Sequence, residues 1–129
     1  MPNSETPTSF PVPIAFIGGG NMARSLIGGL IARGVAPDSI VVAEPVDALR
    51  EALANDFGVR VREDNVAAAR GARVLLLAVK PQVMRAVCEE LAGRLGDTLV
   101  VSIAAGITCA QLRRWLRHDG GIVRCMPNT

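Results

Sequence analysis

Apolar residues fall along this chain in two alternating patterns. Short, mostly unbroken apolar runs occupy residues 12–17, 40–43, 59–61, 74–79, 99–103 and 122–126. Between them lie longer segments in which apolar side chains recur every three or four positions, as at Met22, Leu26, Ile27, Leu30 and Ile31. The first pattern predicts strands buried on both faces, and the second predicts helices that bury one face. Helices are accordingly predicted over 22–33, from Asp47 through Leu49, Leu53 and Phe57, over 65–70, over 81–95, and from Thr108 to Leu116. The punctuation agrees. Gly34 stops the first helix, and Asp47 and Asn65 are expected to cap the second and third. Pro81 fits the first position of the fourth. Thr108 and Gln111 have the spacing of a capping box.

Strand and helix alternate throughout, which predicts an α/β domain whose parallel sheet is covered by helices on both faces. Crossovers of one hand leave few ways to connect such a sheet. Six strands fit the doubly wound, Rossmann dinucleotide-binding order 3-2-1-4-5-6. Residues 1–11, rich in Pro, Ser and Thr, are expected to be a flexible tail, and 12–129 one dinucleotide-binding domain without repeats or an internal linker.

Composition adjusts this picture only at the margins. Half of the 129 residues are hydrophobic and only 3% are aromatic, so the core must be built from Val, Ile, Leu and Ala. The net charge of +2 comes from scattered arginines, among them Arg24, Arg33, Arg50, Arg60, Arg62 and Arg70. Without a basic patch interleaved with aromatics, no nucleic-acid partner is expected. Cys88, Cys109 and Cys125 are odd in number and match no zinc or disulfide spacing, so they are expected to be reduced thiols, with no metal site. No apolar run is long enough to span a bilayer, and no basic region precedes the first one. Neither membrane association nor a signal peptide is expected, and the cytoplasm is the default location. His118, in the polar stretch 117–120, is expected on the surface, and Trp115 in a packing role.

The candidate chemistry begins where the first strand ends, at Gly18-Gly19-Gly20-Asn21-Met22-Ala23. A Gly-x-Gly-x-x-Ala turn that follows a strand and opens a helix is the context in which this motif binds a dinucleotide. Gly18 permits the tight turn, Gly20 lets a pyrophosphate approach the backbone, and Ala23 lets helix and strand pack closely. The helix N-terminus offers unpaired N–H groups and partial positive charge to the phosphates. At the end of the second strand, Glu44 sits where a carboxylate accepts hydrogen bonds from the adenosine ribose. Ala43, Pro45 and Val46 offer no hydroxyl or cation to a 2′-phosphate, so NAD is expected in preference to NADP. The alternative, a solvent-facing Glu44 that discriminates nothing, stays open.

Four strings occur in order at strand ends: Ile17-Gly-Gly-Gly-Asn-Met-Ala23, Ala78-Val-Lys-Pro81, Val101-Ser-Ile-Ala-Ala-Gly106 and Arg124-Cys-Met-Pro-Asn-Thr129. Together they closely resemble the Δ1-pyrroline-5-carboxylate reductases, from about Ile14 to the last residue. The resemblance implies hydride transfer from NADH or NADPH to the C=N carbon of 1-pyrroline-5-carboxylate, giving L-proline. It also implies a second, helical domain that dimerises and binds substrate. That domain is not in this chain, so homo-oligomerisation and full activity are expected only with it.

The resemblance further implies roles for individual residues. Asn21 and Met22 border the pyrophosphate through backbone N–H groups, and Asn21 also suits a plain helix N-cap. Asn65 lies near the adenosine ribose, although on its own it reads as a cap. Ala78, Val79, Lys80 and Pro81 pass beside the ribose nearest the nicotinamide, with Lys80 as electrostatic support rather than proton donor. Ala104, Ala105 and Gly106 are small where a ring comes close, and they equally suit a tight turn. Asn128, after Met126 and Pro127, is positioned for the carboxamide or the substrate. No catalytic residue is assigned. The competing readings are a related imine or carbonyl reductase and a non-catalytic nucleotide-binding module.

Overall fold

In the computed structural model, residues 10–125 are described. Six strands, β1 (Ile14–Ile17), β2 (Ile40–Ala43), β3 (Arg60–Arg62), β4 (Val74–Leu77), β5 (Leu99–Ser102) and β6 (Ile122–Arg124), alternate with five helices. The helices are α1 (Asn21–Ala32), α2 (Asp47–Phe57), α3 (Asn65–Ala69), α4 (Pro81–Leu91) and α5 (Cys109–Leu116). The strands form one sheet in the order β3-β2-β1-β4-β5-β6. Every pairing is parallel. This is the doubly wound Rossmann arrangement that the alternation of patterns predicts, with its reversal point between β1 and β4.

Strand side chains alternate between two apolar cores, one on each face of the sheet. Ile14, Phe16, Ile40 and Val42 face α1 and α2, where Ala23, Ile27 and Leu53 meet them. Ala15, Ile17, Leu75, Leu77 and Val100 face the other way, against Met84, Cys88 and Leu91 of α4 and Leu112 and Leu116 of α5. Such burial contributes roughly 1.5–3 kcal/mol for each large aliphatic side chain taken fully from water. The central strands are therefore continuous apolar runs, while β3 and β6 at the edges are mostly exposed. Trp115 is partly buried against the second core.

Several local expectations are corrected. Asp47 does not cap α2. Val46 takes that position without a side-chain bond, and Asp47 is ion-paired with Arg50 instead. Leu49 is exposed rather than buried with Leu53. Asn65 does not cap α3, because Asp64 accepts the Ala67 N–H at 3.1 Å and starts the helix one residue earlier. Helix α4 ends at Leu91 rather than near Leu95, since the chain turns so that Gly93 N–H donates to the Leu116 carbonyl at 3.0 Å. A short 3-10 turn, Pro37–Ser39, precedes β2.

His118 is buried, not on the surface, at 4% exposure. Arg117 adopts the left-handed conformation, φ 48°, at the end of α5. That turn folds His118 inward, where ring Nε2 donates to the Thr98 carbonyl at 2.8 Å. The Arg113 guanidinium closes the turn by donating to the His118 and Gly120 carbonyls at 2.9 and 3.0 Å. Phe10 packs against the core near α1, and the rest of the expected tail up to residue 9 lies outside the described residues.

Candidate functional site

The loops that carry the predicted site residues follow the C-terminal ends of the parallel strands, so they share one edge of the sheet. The glycine turn follows β1, Glu44 follows β2, Asn65 follows β3, Ala78–Val79–Lys80 follows β4, and Ala104–Ala105–Gly106 follows β5. Ligands of open α/β sheets bind at this edge, where the strand order reverses.

The turn is tightly fixed at its first two glycines. Gly18 N–H donates to the Ala43 carbonyl at 2.9 Å, and Ala78 N–H donates to the Ile17 carbonyl at 2.8 Å. These bonds tie the ends of β1, β2 and β4 together. Gly18 has φ +101°, and a Cβ there would lie 2.7 Å from the Ala78 carbonyl oxygen. Only glycine meets both conditions without strain. Gly19 is buried, and a Cβ on it would lie 2.8 Å from Leu53 Cδ1 and 3.2 Å from Glu44 Cβ.

Gly20 differs. It is exposed, and a Cβ on it would meet nothing within 4 Å. It occupies the N-cap of α1, with no side chain bonded to the helix end. Asn21 is thus the first helical residue rather than the cap, and it is exposed, with Met22 half-buried. The start of α1 is thus without a side-chain cap beside an open Gly20, the arrangement in which a helix N-terminus suits an anionic group such as a pyrophosphate. Ala23 is fully buried beneath the turn, as close helix–strand packing requires.

Glu44 neither faces solvent nor reaches outward. Its residue is 6% exposed. Oε1 accepts the Gly19 N–H at 2.9 Å and Oε2 accepts the Val46 N–H at 3.0 Å. A cation that the immediate neighbours of Glu44 did not reveal also reaches this strand end. Arg50, one turn into α2, donates to the Glu44 carbonyl at 2.6 Å and pairs with Asp47. The three-residue spacing of Asp47 and Arg50 is a readable helix pair, but its return to Glu44 depends on where α2 starts.

The remaining predicted residues occupy the same edge in different states. Lys80 is exposed at the N-cap of α4, with Pro81 at the first helical position and Ala78 and Val79 half-buried beneath them. Ala104 is buried, its N–H donating to Ser102 Oγ at 3.3 Å, while Ala105 and Gly106 are exposed. Asn65 is partly committed elsewhere, because its side-chain amide donates to Glu90 Oε1 on α4 at 3.0 Å. Asn128, with Met126 and Pro127, lies outside the described residues. Cys125 marks the approach to that segment, its N–H donating to the Ser102 carbonyl at 2.8 Å.

Two other features stand apart from this edge. A cavity of about 620 Å3 opens by the turns that lead into β4 and β5, lined by residues including Arg73, Arg94, Asp97 and Thr98. Cys88 is fully buried, and burial, followed by the charge of Glu89, pushes its thiol up to about 12. It is therefore neutral near pH 7 and a poor nucleophile. Among the described residues no group of three or more His, Cys, Asp or Glu could hold a metal ion. No helix among them is long and apolar enough to cross a membrane.

Comparison with known proteins points in the same direction as the geometry. The profile of the family described as "NADP oxidoreductase coenzyme F420-dependent" matches residues 13–106. A pyrroline-5-carboxylate reductase of Pseudomonas aeruginosa is 52% identical over 117 residues, which cover 90% of this chain and 43% of that protein. A solved pyrroline-5-carboxylate reductase from Coxiella burnetii superposes with a TM-score of 0.88 at 43% identity, covering 93% of this chain and 45% of that one. The Plasmodium falciparum pyrroline carboxylate reductase, solved with NADP bound, shares the fold with a TM-score of 0.77 at 22% identity, over 91% of this chain and 42% of that one. The chain thus spans less than half the length of these relatives.

Proposed function

This chain belongs to the family of NADP oxidoreductases described as coenzyme F420-dependent, and from that premise we propose that it is the dinucleotide-binding part of a pyrroline-5-carboxylate reductase. The observation that carries this reading is the glycine turn at the reversal point of the sheet. There an open Gly20 and the uncapped start of α1 are held between the ends of β1, β2 and β4. The 52% identity to the Pseudomonas aeruginosa reductase supports the substrate assignment.

When bound, a nicotinamide cofactor supplies the hydride that reduces the C=N carbon of the cyclic imine to L-proline. The chain's own residues bind and orient. The N–H groups of Gly20, Asn21 and Met22 hold the pyrophosphate. Glu44 and Asn65 flank the adenosine ribose. Ala78, Val79, Lys80 and Pro81 border the second ribose, with Lys80 adding positive charge. Ala104, Ala105 and Gly106 leave room for the nicotinamide ring, and Asn128 meets its carboxamide or the substrate. Residues 12–129 act as one cofactor domain, with Phe10 packed against its core. Excluding water around imine and nicotinamide takes more protein than one sheet edge offers. Turnover, and assembly into oligomers, therefore require the remaining length found in the relatives.

NADH is proposed as the preferred cofactor, on the anionic Glu44 beneath the turn and on Arg50 being already paired with Asp47. The test has two stages. Titrating the 129-residue chain with NADH and NADPH by nucleotide fluorescence is expected to give saturable binding, tighter for NADH. Fusing the chain to the remaining C-terminal part of the Pseudomonas aeruginosa relative is expected to produce proline from 1-pyrroline-5-carboxylate, whereas the chain alone produces little. A higher kcat/KM with NADPH reverses the cofactor assignment and turns attention to Arg50. Cofactor binding with no turnover by the fusion favours a non-catalytic nucleotide-binding module.

A further inference from the structure

We propose that Glu44 is a positioning residue whose main task is to brace the glycine turn, rather than to read the ribose. The proposal rests on the dinucleotide site described above and assigns that site a specific internal support.

The carboxylate is buried, at 6% exposure, and each of its oxygens accepts a backbone N–H: Gly19 at 2.9 Å and Val46 at 3.0 Å. Bonds from an N–H to an ionised carboxylate are stronger than neutral ones, and in a buried setting a lost partner leaves an unsatisfied donor. The carboxylate therefore joins the glycine turn, 25 residues before it in the chain, to the entrance to α2 just after it. The packing repeats the message. Gly19 lies so close to Glu44 Cβ and Leu53 Cδ1, at 3.2 and 2.8 Å from an added Cβ, that a side chain there must displace the buried Leu53 and press on the brace.

Two consequences follow. The Gly19 N–H is consumed inside the protein, so the phosphates are left with the donors of Gly20 and the first turn of α1. The turn is also held in its binding shape before any ligand arrives, which removes an ordering cost from binding.

Other substitutions at this position cannot reproduce the brace. Glutamine offers one oxygen and one NH2, so it sets a donor against one of the two backbone donors. Aspartate keeps the charge but is one methylene too short to span both N–H groups from the same strand end.

The test separates bracing from ribose reading by using a ligand without the ribose hydroxyl in question. Affinities of the wild-type chain, Glu44→Gln and Glu44→Asp are measured for NADH and for its 2′-deoxyadenosine analogue. A brace lowers the affinity for both ligands by the same factor, about tenfold, the size expected for one lost charge-assisted bond. Loss for NADH with no loss for the deoxy analogue overturns the proposal in favour of ribose reading, and no loss for either overturns it outright.

A measurement on the ligand-free wild-type chain guards against variants that fail to fold. The Gly19 amide is expected to exchange with solvent as slowly as the amides of β1, and to exchange much faster in any variant that folds. Fast exchange in the wild type overturns the brace. A wild-type chain that binds neither NADH nor NADPH refutes the dinucleotide reading, while the Gly19 exchange still decides the brace.

Discussion

Three successive glycines in one turn answer to three different constraints. At Gly18 the constraint is the backbone itself, with φ +101° and the Ala78 carbonyl 2.7 Å from any Cβ. At Gly19 it is the packing of Leu53 and Glu44. At Gly20 no protein atom lies within 4 Å of an added Cβ, and the constraint is the one the proposed pyrophosphate would impose. Single alanine substitutions are expected to divide accordingly. Gly18→Ala and Gly19→Ala lower stability by about 1–3 kcal/mol, the usual range for backbone strain or overpacking. Gly20→Ala, at the N-cap of α1, loses less stability than either, under about 1 kcal/mol, but binds NADH at least about tenfold more weakly, because its methyl group stands where the proposed pyrophosphate approaches. Urea titrations and nucleotide fluorescence distinguish the cases, and a destabilised Gly20→Ala with normal binding contradicts this division. The tight turn at Gly18 and the open backbone at Gly20 are legible in the spacing of the motif. That of Gly19 is not, because its neighbours stand far along the chain. His118 misleads for a related reason. Its sequence neighbours are polar, but the left-handed Arg117 turns it under the helix to the Thr98 carbonyl.

Among the elements, the strands and the α4 and α5 starts are written most clearly. Buried runs such as residues 74–77 carry no ambiguity of face, since both faces are covered. The capping box of α5 is equally plain. Thr108 Oγ1 accepts the Gln111 N–H at 3.0 Å, and Gln111 Oε1 accepts the Thr108 N–H at 2.9 Å. The starts of α2 and α3 are misread by one residue each, because candidate caps stand side by side at 64 and 65, and because Val46, whose N–H is held by the Glu44 carboxylate two residues before it, takes the cap position of α2 with no side-chain oxygen to announce it. Since α5 is short, at 8 residues, it depends on its cap. Thr108→Ala is expected to cost about 1 kcal/mol. The loss should be read as a lower unfolding midpoint with unchanged NADH affinity, and an equal midpoint would deny the box an energetic role.

At the scale of the molecule, the sheet order is legible because a continuous β-α alternation with one crossover hand permits little else. That the candidate site loops share one edge is legible for the same reason, whereas the inward turn of Glu44 and the return of Arg50 are not, since both depend on side-chain directions at a strand end. The order has a further consequence through the central seam. Strands β1, β2 and β3 come from the first half of the chain and β4, β5 and β6 from the second, and within the sheet the halves meet along β1 and β4, from Ile14–Val74 to Ile17–Leu77. Gly18, packed on the Ala78 carbonyl, crowns that seam. A nucleotide bound there, as proposed, would touch both halves at once and act as a clasp between them. A chain severed between Arg70 and Gly71, both exposed in the turn before β4, is expected to behave as two complementing pieces whose association tightens as NADH is added, by the mass-action linkage of any ligand that prefers the assembled state. Sedimentation of the paired fragments with and without nucleotide measures this, and equal association in both samples would mean that the turn serves only the half that carries it.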